Sequence, residues 1–164
     1  MTLMASREKP LEGAPKSSHP TGLHFVRRNP HPSKKEQGDC GVRSICLALD
    51  LDYGAVFREL LPLQKESRWY ESYGEPVYCG GTPAGGLDRV VMARFLLKRG
   101  WHWTASISGT KFKASNLPPR CIAIQAGHYV CVRDGAIWDT WDSRGKRAKR
   151  LEGFFAPINP ALWP

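Results

Sequence analysis

The chain has no Cys-x-x-Cys pair, and no histidine pair stands beside such a motif. Its five cysteines, Cys40, Cys46, Cys79, Cys121 and Cys131, are an odd number with no close spacing. That pattern speaks against a zinc knuckle and against a disulfide framework, so neither a metal nor another cofactor is expected. No apolar run approaches the roughly 18 residues that span a bilayer. The opening "MTLMASREKP" lacks the apolar core of a secretory leader, and a cytoplasmic protein without membrane contact is the expectation. The Gly-rich "CGGTPAGG" lacks the Gly-Lys-Ser/Thr of a phosphate loop and reads as a turn.

What is present is a chain of 164 residues, 41% apolar, long enough for one domain with a real core. Lys and Arg number 24 against 15 Asp and Glu, a net charge of +9. Residues 1–38 hold seven basic and three acidic side chains. "SRGKRAKR" at 143–150 holds Arg144, Lys146, Arg147, Lys149 and Arg150 with no acid between them. Such a surface can meet nucleic acid or an acidic protein, or it is simply solvated. Without interleaved aromatics the run is no base-stacking platform.

Residues 1–35, rich in proline, read as a largely irregular basic arm that docks at most through "LHFV" at 23–26. The folded domain spans 36–164. Asp39 is the expected cap of a helix from about Cys40 to Leu49, with Val42, Ile45, Cys46 and Leu49 as its apolar stripe. A second helix over roughly 53–65 turns Val56, Leu60, Leu61 and Phe57 inward. Residues 66–81 read as loop. Thr82 and Pro83 then open a third helix that stops at Gly100. From Trp101 the period changes to two, and "WHWTASI", "RCIAIQ", "HYVCVR", "AIWDTW" and "GFFAPI" read as strands. Helices first and an antiparallel sheet second make the class α+β.

The dipeptide Asp134-Gly135 marks a two-residue hairpin turn. Residue numbers of facing partners then sum to 269, which sets Val130 opposite Asp139 and His128 opposite Trp141. His128, Val130, Val132, Ile137, Asp139 and Trp141 share one face, with His128 and Asp139 as diagonal neighbours within side-chain reach. That face is the one the helices are expected to cover. Two polar groups there need a partner, because unpaired they are costly to bury. Cys40 supplies one: a thiol at a helix N-terminus beside an imidazole is drawn toward thiolate. The three residues match nucleophile, base and orienting acid. Arg43, one turn past Cys40, is expected to pair with Asp39. The other cysteines, and the tryptophans Trp101, Trp103, Trp138 and Trp141, read as core and cleft wall.

"QGDCGVRSICLAL", "GHYVCV" and "IWDTWDS" resemble the three motif blocks of the papain-like cysteine peptidase superfamily, nearest its compact bacterial branch. They are still more similar to small papain-fold proteins of bacteriophages. The resemblance covers about residues 36–155 and implies a papain-like α+β fold, with the first helix carrying nucleophile Cys40 and the sheet carrying His128 and Asp139. The family's oxyanion glutamine precedes its cysteine by about six residues, where Lys34 stands here. Gln37 is the nearer candidate for that role, with the Cys40 backbone amide as the alternative. The implied activity is hydrolysis of a peptide or isopeptide bond in a protein substrate, or acyl transfer by the same triad. The competing reading is a non-catalytic papain-fold binding or accessory phage protein, acting through its basic segments on nucleic acid or an acidic host protein in the cytoplasm.

Overall fold

The computed structural model describes residues 16–34, 38–66, 69–72, 75–78 and 81–163. Its elements run in the order β1 (His24–Arg27), α1 (Cys40–Leu49), α2 (Tyr53–Glu66), β2 (Trp69–Ser72), β3 (Glu75–Tyr78), α3 (Arg89–Leu97), β4 (Trp101–Ala105), β5 (Arg120–Gln125), β6 (His128–Arg133), β7 (Ala136–Asp139) and β8 (Leu151–Pro157). Six strands form one sheet in the order β1-β7-β6-β5-β8-β4, and β2 with β3 forms a separate pair. The class is α+β. Within the large sheet every pairing is antiparallel except β1 with β7.

The apolar stripe of α1, residues Val42, Ile45, Cys46 and Leu49, is buried as its 3–4 spacing requires. In α2 the inward side chains are Val56, Leu60 and Leu63, while Leu61 is only half-buried. The third helix begins later than expected. A single 3₁₀ turn occupies Pro83–Gly85, and α3 starts at Arg89, where the Asp88 carboxylate accepts the Val90 N–H at 2.7 Å. Gly86 at φ 136 explains the break, since that backbone lies outside the helical region and suits only glycine. The expected loop at 66–81 contains the β2–β3 pair, with Trp69 facing Tyr78. Aromatic and β-branched residues at 69–70 and 77–78 favour extended backbone despite the polar surroundings.

The arm docks where "LHFV" stands, as a strand. Its parallel register sets Phe25 beside Ile137 and Arg27 beside Asp139. In the hairpin Cys131 faces Trp138, Val132 faces Ile137 and Arg133 faces Ala136, so partner numbers sum to 269 as the Asp-Gly turn requires. Asp134 and Gly135 both adopt positive φ, at 50° and 75°.

The sheet is buried on both faces. The helices cover Ile122, Cys131 and Phe155, together with the flanking Tyr129 and Trp138. The other face, bearing Val130, Val132 and Ile137, is covered by Leu23 and Phe112. The expectation that the helices lie on the His128 face therefore fails. Both faces of the hairpin are apolar, so alternation sorts side chains into two sets without telling which set meets the helices.

Candidate active site

Three element ends converge at one edge of the fold: the N-terminus of α1, the first residue of β6 and the last residue of β7. They carry Cys40, His128 and Asp139. A tight turn through Ala126 (φ 47) and Gly127 (φ 77) brings the chain into β6, and the Glu152 carboxylate accepts the Gly127 N–H at 2.8 Å. His128 Nε2–H donates to Asp139 Oδ2 at 2.7 Å, the diagonal contact that the hairpin register requires. With Nε2 committed, Nδ1 is the ring nitrogen left to Cys40, to which the imidazole is hydrogen-bonded. The helix bearing Cys40 lies over the opposite face of the sheet, so thiol and imidazole meet around the end of β6 and not across a face.

Asp139 is 4% exposed. Its second oxygen accepts the backbone N–H of Thr140 at 2.7 Å, so both carboxylate oxygens are engaged. Trp141 stands 48% exposed, its ring 5.4 Å from that of His128, and forms a wall beside the imidazole. Lys149 approaches the Trp141 ring at 5.5 Å.

The electrostatics set Cys40 apart. Burial pushes its thiol up, but the hydrogen bond with His128, the Tyr129 backbone N–H, and the charges of His128 and Arg43 together hold it below its ordinary value. Burial alone would lower the His128 imidazole; its hydrogen bonds to Asp139 and Cys40 and their charges instead raise it to about 9. Both shifts run in the direction that moves a proton from sulfur to nitrogen, which is the polarisation a thiolate nucleophile needs.

Asp39 is fully buried and does not cap α1 with its side chain. Its carboxylate goes instead to Arg43, Oδ1 to Nε at 3.1 Å, and accepts the Tyr53 hydroxyl at 2.7 Å. The expected Asp39–Arg43 pairing is present. Gly41 has no room for a side chain: a Cβ there would lie 2.7 Å from Leu87 Cβ. The close approach seats the first turn of α1 against the segment before α3.

Gln37 lies outside the described residues, as does Cys79. The five basic residues of 143–150 do not form one exposed run. Arg144 donates to both Asp142 oxygens, at 2.7 and 2.6 Å, and to the Leu23 carbonyl at 2.7 Å, while Lys149 donates to the Ser143 carbonyl at 3.0 Å. Lys146, Arg147 and Arg150 are exposed. The chain clamps its own loop with two of the five because the Arg144 fork matches the Asp142 carboxylate two residues away. Among the described residues no cluster of His, Cys, Asp and Glu could hold a metal ion, and no helix is long and apolar enough to cross a membrane.

The residues that sequence reasoning missed are Tyr129, whose backbone N–H points at the sulfur, and Thr140, which bonds Asp139. The "DTW" run placed Thr140 beside the acid but carried no sign of its role. Comparison with protein-family models, with curated proteins and with solved structures gives no match to this chain.

Proposed function

We propose that the protein is a papain-like cysteine hydrolase acting on peptide or isopeptide bonds. The observation that carries this reading is the 2.7 Å bond from His128 Nε2 to Asp139, because it orients the ring and leaves Nδ1 for the lowered thiol of Cys40. In the proposed reaction the Cys40 thiolate attacks the substrate carbonyl carbon and a C–S bond forms. The negative charge moves to the carbonyl oxygen, where the Cys40 backbone N–H, free of intrahelical partners at the helix start, can donate. Collapse breaks the C–N bond, and the imidazolium gives its proton to the leaving amine. Water then attacks the thioester, His128 takes a proton from it, and the acid departs with thiolate regenerated. An amine or alcohol in place of water makes the same site an acyltransferase.

The test is a fluorogenic peptide panel assayed with wild type and Cys40→Ala. Cleavage by wild type that Cys40→Ala abolishes supports the reading. Equal turnover by both proteins would sink it.

A non-catalytic basic binding surface is the second reading, and one feature favours it. A cavity of about 300 Å³ is lined by Arg27, Arg28, Asn29 and Lys34. Arg27 pairs in register with Asp139, so this cationic hollow opens at the same end of the sheet as the triad. Nucleic acid or an acidic protein held there should lose affinity steeply as salt rises. Neutralising Lys146, Arg147 and Arg150 together should flatten that dependence if the exposed loop takes part.

A further inference from the structure

Cys40 rides on a helix and Asp139 ends a strand, and within the triad only His128 joins them. A second connection runs beneath. Arg43 is 5% exposed and Asp39 fully buried, and the guanidinium reaches in two directions. Its Nε faces Asp39 Oδ1 at 3.1 Å, and its Nη1 donates to Thr140 Oγ1 at 2.6 Å. Thr140 in turn gives its backbone N–H to Asp139 Oδ1. Beyond Asp39 the Tyr53 hydroxyl holds the remaining carboxylate oxygen, and the His31 ring packs edge-on against Tyr53 at 4.6 Å.

We propose that Arg43, anchored by Asp39, is a positioning residue that locks the start of α1 to the end of β7 and so holds the Asp139 carboxylate in line with His128. Burying such a pair brings little net stability, because desolvation of two charges offsets most of their attraction, and an apolar pair of similar volume does as well. What the pair does supply is direction. A planar guanidinium presents N–H groups along fixed, divergent lines, one toward the loop before the helix and one toward the strand end. Thr140 is held through its hydroxyl by Arg43 and through its N–H by Asp139, so the carboxylate cannot turn without breaking a bond at each step. A lysine in place of Arg43 keeps the charge but offers a single point, unable to span both partners.

This inference rests on the triad geometry used for the hydrolase reading, but its test does not require hydrolysis. The double variant Asp39→Asn/Arg43→Met removes both charges, leaving neither buried alone. In it the His128 ring titration, followed by NMR, should fall by about one unit or more, the tenfold change expected when the acid swings away. Alkylation of Cys40 by iodoacetamide at pH 6 should drop by a similar factor, while the thermal midpoint stays close to that of wild type. Arg43→Lys should fall between the two. An unchanged His128 titration in the folded double variant would overturn the proposal. If the double variant does not fold, Thr140→Val cuts the link from Arg43 alone, and an unshifted His128 midpoint there overturns it equally. A wild-type Cys40 no more reactive than Cys46 would count against the hydrolase reading only, because the His128 titration still decides the role of Arg43.

Discussion

Cys40 and Cys46 sit six residues apart on α1 with identical side chains, and their thiols are shifted in opposite directions. Cys46 is buried among Val42, Ile45 and Leu49. Burial and the charges of Asp52 and Asp39 raise its thiol to about 12. Cys40 is also pushed up by burial, yet the imidazolium, an aimed backbone N–H and Arg43 reverse the sign. Cys121 and Cys131, fully buried in the sheet, follow Cys46 upward. The lesson is that burial does not decide thiol chemistry in this fold. What decides it is whether hydrogen-bond donors and positive charge are directed at the sulfur, and among the described cysteines that happens at the helix start.

The widest gap should appear in alkylation. With iodoacetamide at pH 6.5 the native protein should be modified at Cys40 about 100-fold faster or more than at Cys46, Cys121 or Cys131. Peptide mass spectrometry over time measures this directly, and four equally slow thiols would erase the distinction.

Removing the base should pull Cys40 toward its neighbour. His128→Gln should slow Cys40 alkylation at pH 6 by about 10–100-fold and shift its pH profile upward. Asp139→Asn should cost about tenfold, since the ring loses its orienting acceptor. Asp142→Asn should change the rate less than about twofold, because that carboxylate serves Arg144. Equal losses at Asp139 and Asp142 would refute the hairpin register as the source of the site.

Stability should sense the same contact. In Cys40→Ala the Asp139 pairing still holds His128 above its unfolded value of about 6.5. A raised folded value contributes stability that is complete below about pH 6.5 and is lost as pH rises through that folded value. In Cys40→Ala the folded value lies below the wild-type figure of about 9, because the hydrogen bond and charge of Cys40 no longer raise it. Thermal midpoints across that window should therefore decline with pH, and adding His128→Gln to this background should flatten the decline.

Packing at the helix start gives a smaller effect. Gly41→Ala forces a Cβ against Leu87 and should destabilise by about 1–3 kcal/mol in urea unfolding. Gly85→Ala meets no atom within 4 Å and should change stability by less than about 0.5 kcal/mol. Smallest of all, Cys46→Ala should leave Cys40 alkylation within about twofold of wild type, because Cys46 packs in the core and does not touch the triad.

Much of the site was legible before folding was considered. Asp134-Gly135 can close the hairpin in one register, and that register alone brings His128 beside Asp139. Apolar residues at helical spacing after Asp39 place Cys40 on the first turn of a helix. These are local rules, acting between residues a few positions apart or directly across a tight turn, so the sequence states them without reference to the rest of the chain.

The tertiary structure decided what crosses long stretches of sequence. Both faces of the β6–β7 hairpin are apolar, and only packing determined that the helices take the Cys131 side while Leu23 and Phe112 take the other. Asp39 could have capped α1; burial beside Arg43 and Tyr53 turned its carboxylate inward. The bond from Arg43 to Thr140 joins residues 97 positions apart and leaves no periodic trace in the sequence. Local patterning determined which side chains the protein offers at each element end. The meeting of those ends, and with it the reversal of the Cys40 thiol, follows from nonlocal packing that no single segment encodes.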